Sequence, residues 1–391
     1  MSIRKRTWLS PDGTAKSAWQ ADYRDQSGKR IRETFATKKE ADAFLHKARG
    51  EVGAGIHTTN GASITVADAG ARWIARCEER GLEATTVNAY RQHLALHIVP
   101  NLGTTKLSAL TAPMVPAFTD KLRKSGCSPA MVRKSRIALG ALLKFAQIRG
   151  LVAQNVVKSI GRDEERPTNR TGLAHVARVG SEIPTPDEIR SILAKLPGTR
   201  YRALLTTAVF TGLRASELRG LRWSDIDLKR GEIHVRQRAD RFGKMGSPKS
   251  KAGRRTIPLM PMVVNTLKEH RLATKAISAK TDLDLVFPNR KGKIDHLVTI
   301  AAGWQAAQVA AGVVWFKGGA AKYPGLHALR HFYASWCINR TADGGLGLSP
   351  QIVQQRMGHA TITMTIDVYG HLFPTADHSA EMTEAERRWH A

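Results

Sequence analysis

Between Gly161 and Ile183 the apolar periodicity that runs through the rest of the chain stops, and charges, Pro167, Gly172 and Gly180 take its place. The local signal there is no more than a short turn around Leu173 to Val176. A stretch that cannot bury a face reads as a linker, so residues 161–183 are expected to join parts that fold around separate cores. Length agrees, because 391 residues exceed what one core usually supports.

Ahead of the linker two patterns follow one another. Trp19, Ala21 and Tyr23 share one face of a strand, a turn is expected from Asp25 to Gly28, and Ile31 to Phe35 resumes the alternation. Thr37 and Glu40 then match a capping box, and Ala41, Phe44, Leu45 and Ala48 recur at helical spacing. A hairpin packed on one helix is expected over residues 1–60. From Ile64 onward the segments Val66–Arg80, Thr86–His97 and Thr111–Ser125 read as helices, and a long one starts at Ser128 with Pro129 in its first turn. They predict a bundle over residues 64–160. Beyond the linker, Thr185-Pro-Asp-Glu188 is a second capping box, opening a domain over residues 184–391. That domain reads as mainly helical, with short strands near Glu232–Arg236, Arg255–Leu259 and Leu285–Phe287. The predicted fold class is therefore mainly α with small β-sheets.

Charge narrows the function. The chain carries 61 Lys and Arg against 33 Asp and Glu, a formal net charge of +28, so a polyanion is the natural partner. Basic residues recur from Arg4 to Arg388, which suits a surface wrapped around a long nucleic acid better than a membrane patch. In the predicted bundle Arg72, Arg91, Lys121, Arg123, Lys124, Arg133, Lys134, Arg136 and Lys144 exceed what solubility requires, although about a third of them would serve as ordinary solvated faces. The opening MSIRKRTWLSPDG lacks the apolar core of a secretory signal, and no stretch approaches the roughly 18 apolar residues of a spanning helix. A cytoplasmic, nucleoid-associated protein is expected. Cys77, Cys127 and Cys337 are too few and scattered for a zinc or disulfide framework and read as packing thiols.

Four clusters in the last domain carry chemistry as a set. In TGLRASELRGLRW, Gly212 ends one helix and Arg214 stands at the entrance of the next, where free N–H groups favour an anion. SPKSKAGRRTIPL is a basic turn on which Lys249 or Lys251 could protonate a leaving oxygen. LHALRHFYASWC places His327 and Arg330 one helical turn apart, within reach of one phosphate. RMGHATITMTIDVYGH sets His359 ten residues before Tyr369. Each has an ordinary explanation when taken alone: a surface arginine, a hairpin tip, a buried core tyrosine. His327 and His331 also have the i, i+4 spacing of a zinc pair, but Arg330 would bring an unfavourable charge to a metal.

The order Arg214, Lys249, His327-x-x-Arg330, His359, Tyr369 resembles the active-site series of the tyrosine recombinases. TGLRASEL and Tyr-Gly-His-Leu-Phe-Pro are similar to the surrounding words in integrases of phages and genomic islands. The resemblance implies an arm-type DNA-binding module at residues 1–60, a core-site-binding bundle at 64–160 and a catalytic domain at 184–391. It also implies that Tyr369 attacks a DNA phosphate held by Arg214, Arg330 and His359, leaving a 3′-phosphotyrosine and a free 5′ hydroxyl. A free tyrosine has a pKa of about 10, so roughly one part in a thousand is phenolate at pH 7. His327 would serve as general base and Lys249, favoured over Lys251, as general acid. The bond energy is kept in the phosphotyrosine, so no cofactor is expected. Partners implied are double-stranded DNA attachment sites and a homotetramer around a four-way junction, with room for a directionality factor or DNA-bending protein. Ala328 where many members have Asp, Met357 where Leu is usual, and the long segment 341–349 depart from the pattern. Rival readings are a type IB topoisomerase, a non-catalytic DNA-binding regulator and a zinc-dependent nuclease.

Overall fold

The computed structural model describes residues 1–25, 28–53, 63–159, 176–196, 199–278, 280–316, 318–373 and 378–390. The chain divides into two compact units, Met1–Asn169 and Arg170–Ala391, so that the boundary falls inside the stretch where apolar periodicity fails. Most of that stretch lies outside the described residues. The molecule is mainly helical, with small antiparallel sheets.

The first unit opens with a three-stranded meander, β1 (Ser2–Leu9), β2 (Ala15–Arg24) and β3 (Arg30–Phe35), followed by α1 (Lys38–Gly53). Alternation puts Ala21 and Tyr23 of β2 on the face that meets Leu45 and Ala48 of α1, with Ile3, Ile31 and Phe35 beside them. On the other face Asp22 receives Arg30 at 2.7 Å and Arg32 at 3.3 Å. Hydrogen bonds from Arg30 hold its carboxyl down at about 2. The expected hairpin is thus β2 and β3, and β1 is an additional strand. Its sequence, SIRKRTWL, is exposed at all but one position, so no apolar alternation announces it. Thr37 and Glu40 exchange backbone and side-chain bonds of 3.2 Å, the capping box that starts α1.

The bundle follows: α2 (Val66–Glu79), α3 (Ala84–His93), α4 (Val99–Leu102), α5 (Met114–Lys124), α6 (Pro129–Ile148) and the short α7 (Val156–Ser159). Thr65 and Ser128 cap α2 and α6 through their hydroxyls. The helix expected at Thr86–His97 instead passes from α3 through a π turn at Leu94–Ile98 into α4. Pro100 has no N–H to return to Leu96, so the ladder shifts register and Val99 bonds Leu94. Phe118, Leu139, Leu142 and Leu143 fill a core distinct from that of the sheet.

In the second unit the reciprocal Thr185–Glu188 bonds of 3.2 and 2.8 Å start α8 (Pro186–Ala194). Then come α9 (Thr199–Thr211), α10 (Ala215–Arg219), β4 (Ile226–Asp227), β5 (Glu232–Val235), β6 (Arg238–Ala239), β7 (Met245–Gly246) and β8 (Arg255–Pro258). The chain continues through α11 (Pro261–Ser278), α12 (Leu297–Ala310), α13 (His327–Ile338), α14 (Pro350–Met357), α15 (Ile362–Tyr369) and α16 (His378–Trp389). Strands β4, β5 and β8 form one antiparallel sheet, and β6 pairs with β7. Helix α9 packs on both α11 and α13, and Leu204, Leu205, Leu267, Leu329 and Tyr333 fill the space between them.

Leu285–Phe287 is buried but is not a strand. Only a single bridge joins Leu285 to Arg222, because the facing chain is itself irregular. The long segment 341–349 folds back along α13, with Leu346 N–H donating to Trp336 O at 3.0 Å and Leu348 N–H to Cys337 O at 2.8 Å. Among the described residues no helix is long and apolar enough to cross a membrane. Phe118 is 1% exposed, so Phe118→Ala should lower stability by about 3–5 kcal/mol, read from urea unfolding followed by circular dichroism.

Candidate active site

Gly212 leaves α9 in the left-handed region at φ 59°, and a Cβ there would lie 2.4 Å from the Tyr333 ring. The turn it allows delivers Arg214 to the N-cap of α10. One helical turn further on, the buried Glu217 accepts Arg214 N–H at 2.9 Å and Arg214 Nη1 at 2.9 Å. Arg255, the first residue of β8, grips the same carboxylate with Nη2 at 2.9 Å and Nη1 at 3.2 Å. Burial opposes ionisation of Glu217, but the hydrogen bonds and charges of Arg255 and Arg214 prevail and hold its pKa below the ordinary value.

The other ends of these arginines meet α14. Arg255 Nε donates to Arg356 O at 2.7 Å, Arg214 Nη2 to Gly358 O at 3.0 Å, and Arg330 Nη2 to Met357 O. Arg330 Nη1 donates to Gly212 O at 2.6 Å. Three successive carbonyls at the C-terminus of a helix, groups that have no partner within it, thus receive three guanidiniums. Gly358 makes this end possible: it is left-handed at φ 62°, and a Cβ on it would lie 2.9 Å from Ala252 O and from Arg255 Nη1.

Helix α13 supplies His327, Arg330 and His331. Arg330 is 3% exposed, and burial with the charges of Arg214 and Arg255 lowers it to about 9. It stays cationic at neutral pH. Tyr369, the last residue of α15, is 2% exposed, and its hydroxyl lies 2.8 Å from His331 Nδ1. Burial raises the phenol to about 12, with Arg330 partly opposing. The ring of His359 is parallel to that of Tyr369 within 4°, with centroids 6.5 Å apart, and its Nδ1 meets Thr365 Oγ1 at 2.9 Å. Burial first, then Arg330, Arg214, Arg255 and His327, depress His359 to about 3. Partial desolvation, Arg330 and Arg214 likewise lower His327.

Arg214, Arg330, His327, His359 and Tyr369 therefore gather in one cluster. Three guanidiniums face one carboxylate there, an excess of two positive charges with the imidazole of His359 neutral, which suits a phosphodiester anion. Lys249 and Lys251 are exposed on the turn between β7 and β8, whose Ala252 packs beside Gly358.

A phage integrase family model matches residues 183–375, the stretch holding every member of this cluster. The chain belongs to the phage integrase family, that of the tyrosine recombinases. A tyrosine recombinase XerC-like protein of Caldanaerobacter subterraneus subsp. tengcongensis is 26% identical over 381 residues, covering 90% of each chain. Among solved structures, the Tn1549 transposon integrase in complex with a circular intermediate DNA superposes with a TM-score of 0.65 at 20% identity, covering 83% of this chain and 100% of that one. A lambda integrase in a tetramer bound to a Holliday junction gives a TM-score of 0.56 at 18% identity, covering 91% and 96%. The fold is that of the tyrosine recombinases.

In the sequence of this recombinase, no motif marks Glu217 and Arg255 as parts of the site, or His331 as the partner of the tyrosine. Glu217 and Arg255 lay inside the quoted words TGLRASEL and GRRTIPL, and the i, i+3 spacing of Arg214 and Glu217 was the available signal. His331, whose i, i+4 spacing from His327 matches a zinc pair, faces the tyrosine instead. The tyrosine hydroxyl expected beside His327 meets His331.

Replacing Glu217 by Gln should leave Arg255, whose side chain is 6% exposed, without its counter-charge. Breaking such a buried pair costs about 3–5 kcal/mol, which urea unfolding of Glu217→Gln would report. Folding also holds His359 neutral from about 3 upward, where an unfolded histidine titrates near about 6.5. The unfolded chain thus binds more protons between those values, and stability should fall as pH drops from 7 to 5. Thermal melts should show that loss in the wild type and a smaller one in His359→Asn.

Proposed function

We propose that this protein breaks and rejoins DNA at defined sites, integrating a mobile element through a 3′-phosphotyrosine formed on Tyr369. The observation that carries the reading is the tyrosine hydroxyl, buried in the same cluster as Arg214 and Arg330. A phosphodiester repels nucleophiles, and its transition state spreads more negative charge over the non-bridging oxygens. Guanidiniums already fixed in place answer that charge without reorganising. Arg214 and Arg330 clamp the phosphate. In the tautomer whose Nδ1 accepts from Thr365 Oγ1, His359 offers Nε2–H to a phosphate oxygen, and the neutral His327 adds a further bond. Attack by Tyr369 breaks the bond to the 5′ oxygen, which Lys249 protonates from the exposed turn between β7 and β8 that it shares with Lys251. The energy of the broken bond remains in the phosphotyrosine, so a 5′ hydroxyl from another strand can reverse the step onto new DNA.

The same reading assigns the other parts. Residues 184–391 are the catalytic domain, reached through a linker at 161–183. Residues 64–160 bind core sites through the exposed Lys121, Lys124, Arg133 and Lys134 of α5 and α6. Residues 1–60 bind arm-type sites, with Arg4, Arg30 and Arg32 spread around Asp22 on the sheet face away from α1. Double-stranded attachment sites are the substrate, four protomers act together on a junction, and a directionality factor or DNA-bending protein sets the outcome in the cell. The protein works on the nucleoid.

Covalent trapping tests the chemistry. With labelled DNA from the gene's own flanks, nicked so that cleaved ends diffuse away, wild type should form an adduct stable on denaturing gels in the presence of chelator and without ATP. Tyr369→Phe should form none; an adduct from both would place the nucleophile elsewhere. Relaxation of plasmids without a defined site would favour a topoisomerase. Removing residues 1–60 should leave the adduct intact and abolish integration between separate DNAs, measured by recombinant product.

A further inference from the structure

Every imidazole of the cluster is a candidate to take the tyrosine's proton, and the contacts separate them. His359 has its Nδ1 on Thr365 and lies flat alongside the tyrosine ring. His327 meets the edge of His331, with ring centroids 4.5 Å apart and planes at 85°. Arg330 spends Nη1 and Nη2 on Gly212 O and Met357 O. Only His331 Nδ1, at 2.8 Å, stands at hydrogen-bonding distance from the Tyr369 hydroxyl among these groups. Their rings meet edge to face, with centroids 5.7 Å apart and planes at 62°.

We propose that His331, not His327, is the catalytic residue that accepts the proton of Tyr369 during cleavage and returns it during rejoining. The inference rests on the recombinase reading above and adds a residue to it. Neutral His331 carries its proton on Nε2 and presents the Nδ1 lone pair to the hydroxyl. As the phenolic oxygen bonds to phosphorus, its proton passes to Nδ1, and the bond to the 5′ oxygen breaks as Lys249 protonates it. In rejoining, the incoming 5′ hydroxyl gives its proton to Lys249, and the imidazolium returns its own to the departing phenol. Two protons move each way and none is left over.

The surroundings make this transfer conditional on DNA. A second proton on His331 would sit beside Arg330 and next to His327, in a cluster that already carries surplus positive charge. A bound phosphodiester supplies the missing negative charge and makes the imidazolium tolerable. Without DNA the tyrosine stays protonated, in keeping with its raised pKa of about 12. The nucleophile is thereby inert until the substrate arrives.

The test uses the full-length protein and the nicked attachment-site DNA. His331→Asn keeps an oxygen acceptor close to the place of Nδ1 but removes the basicity. His331→Gln is the second variant, and retention of attachment-site binding in gel shifts certifies the fold of each. Single-turnover cleavage should fall about 100-fold in either, within the 10²–10⁴ range of general-base catalysis. Installing 3,5-difluorotyrosine at position 369, a phenol acidic enough to ionise near neutral pH, should restore most of that loss relative to wild type with the same nucleophile. Cleavage by His331→Asn at the wild-type rate, or an equal deficit with both nucleophiles, overturns the assignment alone. Absence of adduct from the wild type overturns the recombinase reading and this assignment with it.

Discussion

Arg214, Arg255 and Arg330, gathered at the end of α14, repel one another, and the fold must hold them there. Glu217 is what permits it. The carboxylate is buried, but four hydrogen bonds from Arg214 and Arg255 satisfy it, and its charge offsets part of theirs. A buried ion pair of this kind adds little net stability over an apolar equivalent. Its worth lies in orientation: α10, β8 and the end of α14 are tied at one point, and Arg214 is presented with one edge still open to solvent.

The tyrosine depends on that point at one remove. Arg330 can be buried because Gly212 and Met357 offer it carbonyls, and both glycines that bound this arrangement adopt conformations closed to ordinary side chains. With Arg330 fixed, α13 also fixes His327 and His331, and His331 meets the hydroxyl of Tyr369 at the end of α15. The site thus couples elements from Gly212 to Tyr369, more than 150 residues apart in the chain, through backbone turns and short polar contacts.

Much of this was legible in the sequence, and the exceptions have physical causes. Hydroxyl caps at Thr37, Thr185 and Ser128 and the alternation through Trp19, Ala21 and Tyr23 are local signals, and the elements form where they point. Strand β1 was not legible because Lys5 and Thr7 share the face of Ile3, where alternation would show apolar residues. The π turn before Val99 follows from one absent N–H that a hydrophobic pattern cannot register. The ordered series ending in Tyr369 was readable because its residue types are rare in combination. Glu217 and Arg255 were not singled out, and His331 stood only as half of a disfavoured zinc pair, because a buried carboxylate inside a short helix and a second histidine beside an arginine acquire meaning only from what lies opposite them.

The three carbonyls of Arg356, Met357 and Gly358 carry a consequence of a different kind. A peptide oxygen holds a guanidinium in place without cancelling its charge, which a carboxylate cannot do. It is also present whatever side chain the residue bears. The two acceptors at positions 356 and 357 are therefore supplied whatever side chains stand there, as long as position 357 still fills the core. Only the left-handed turn at Gly358 ties that scaffold to a particular amino acid.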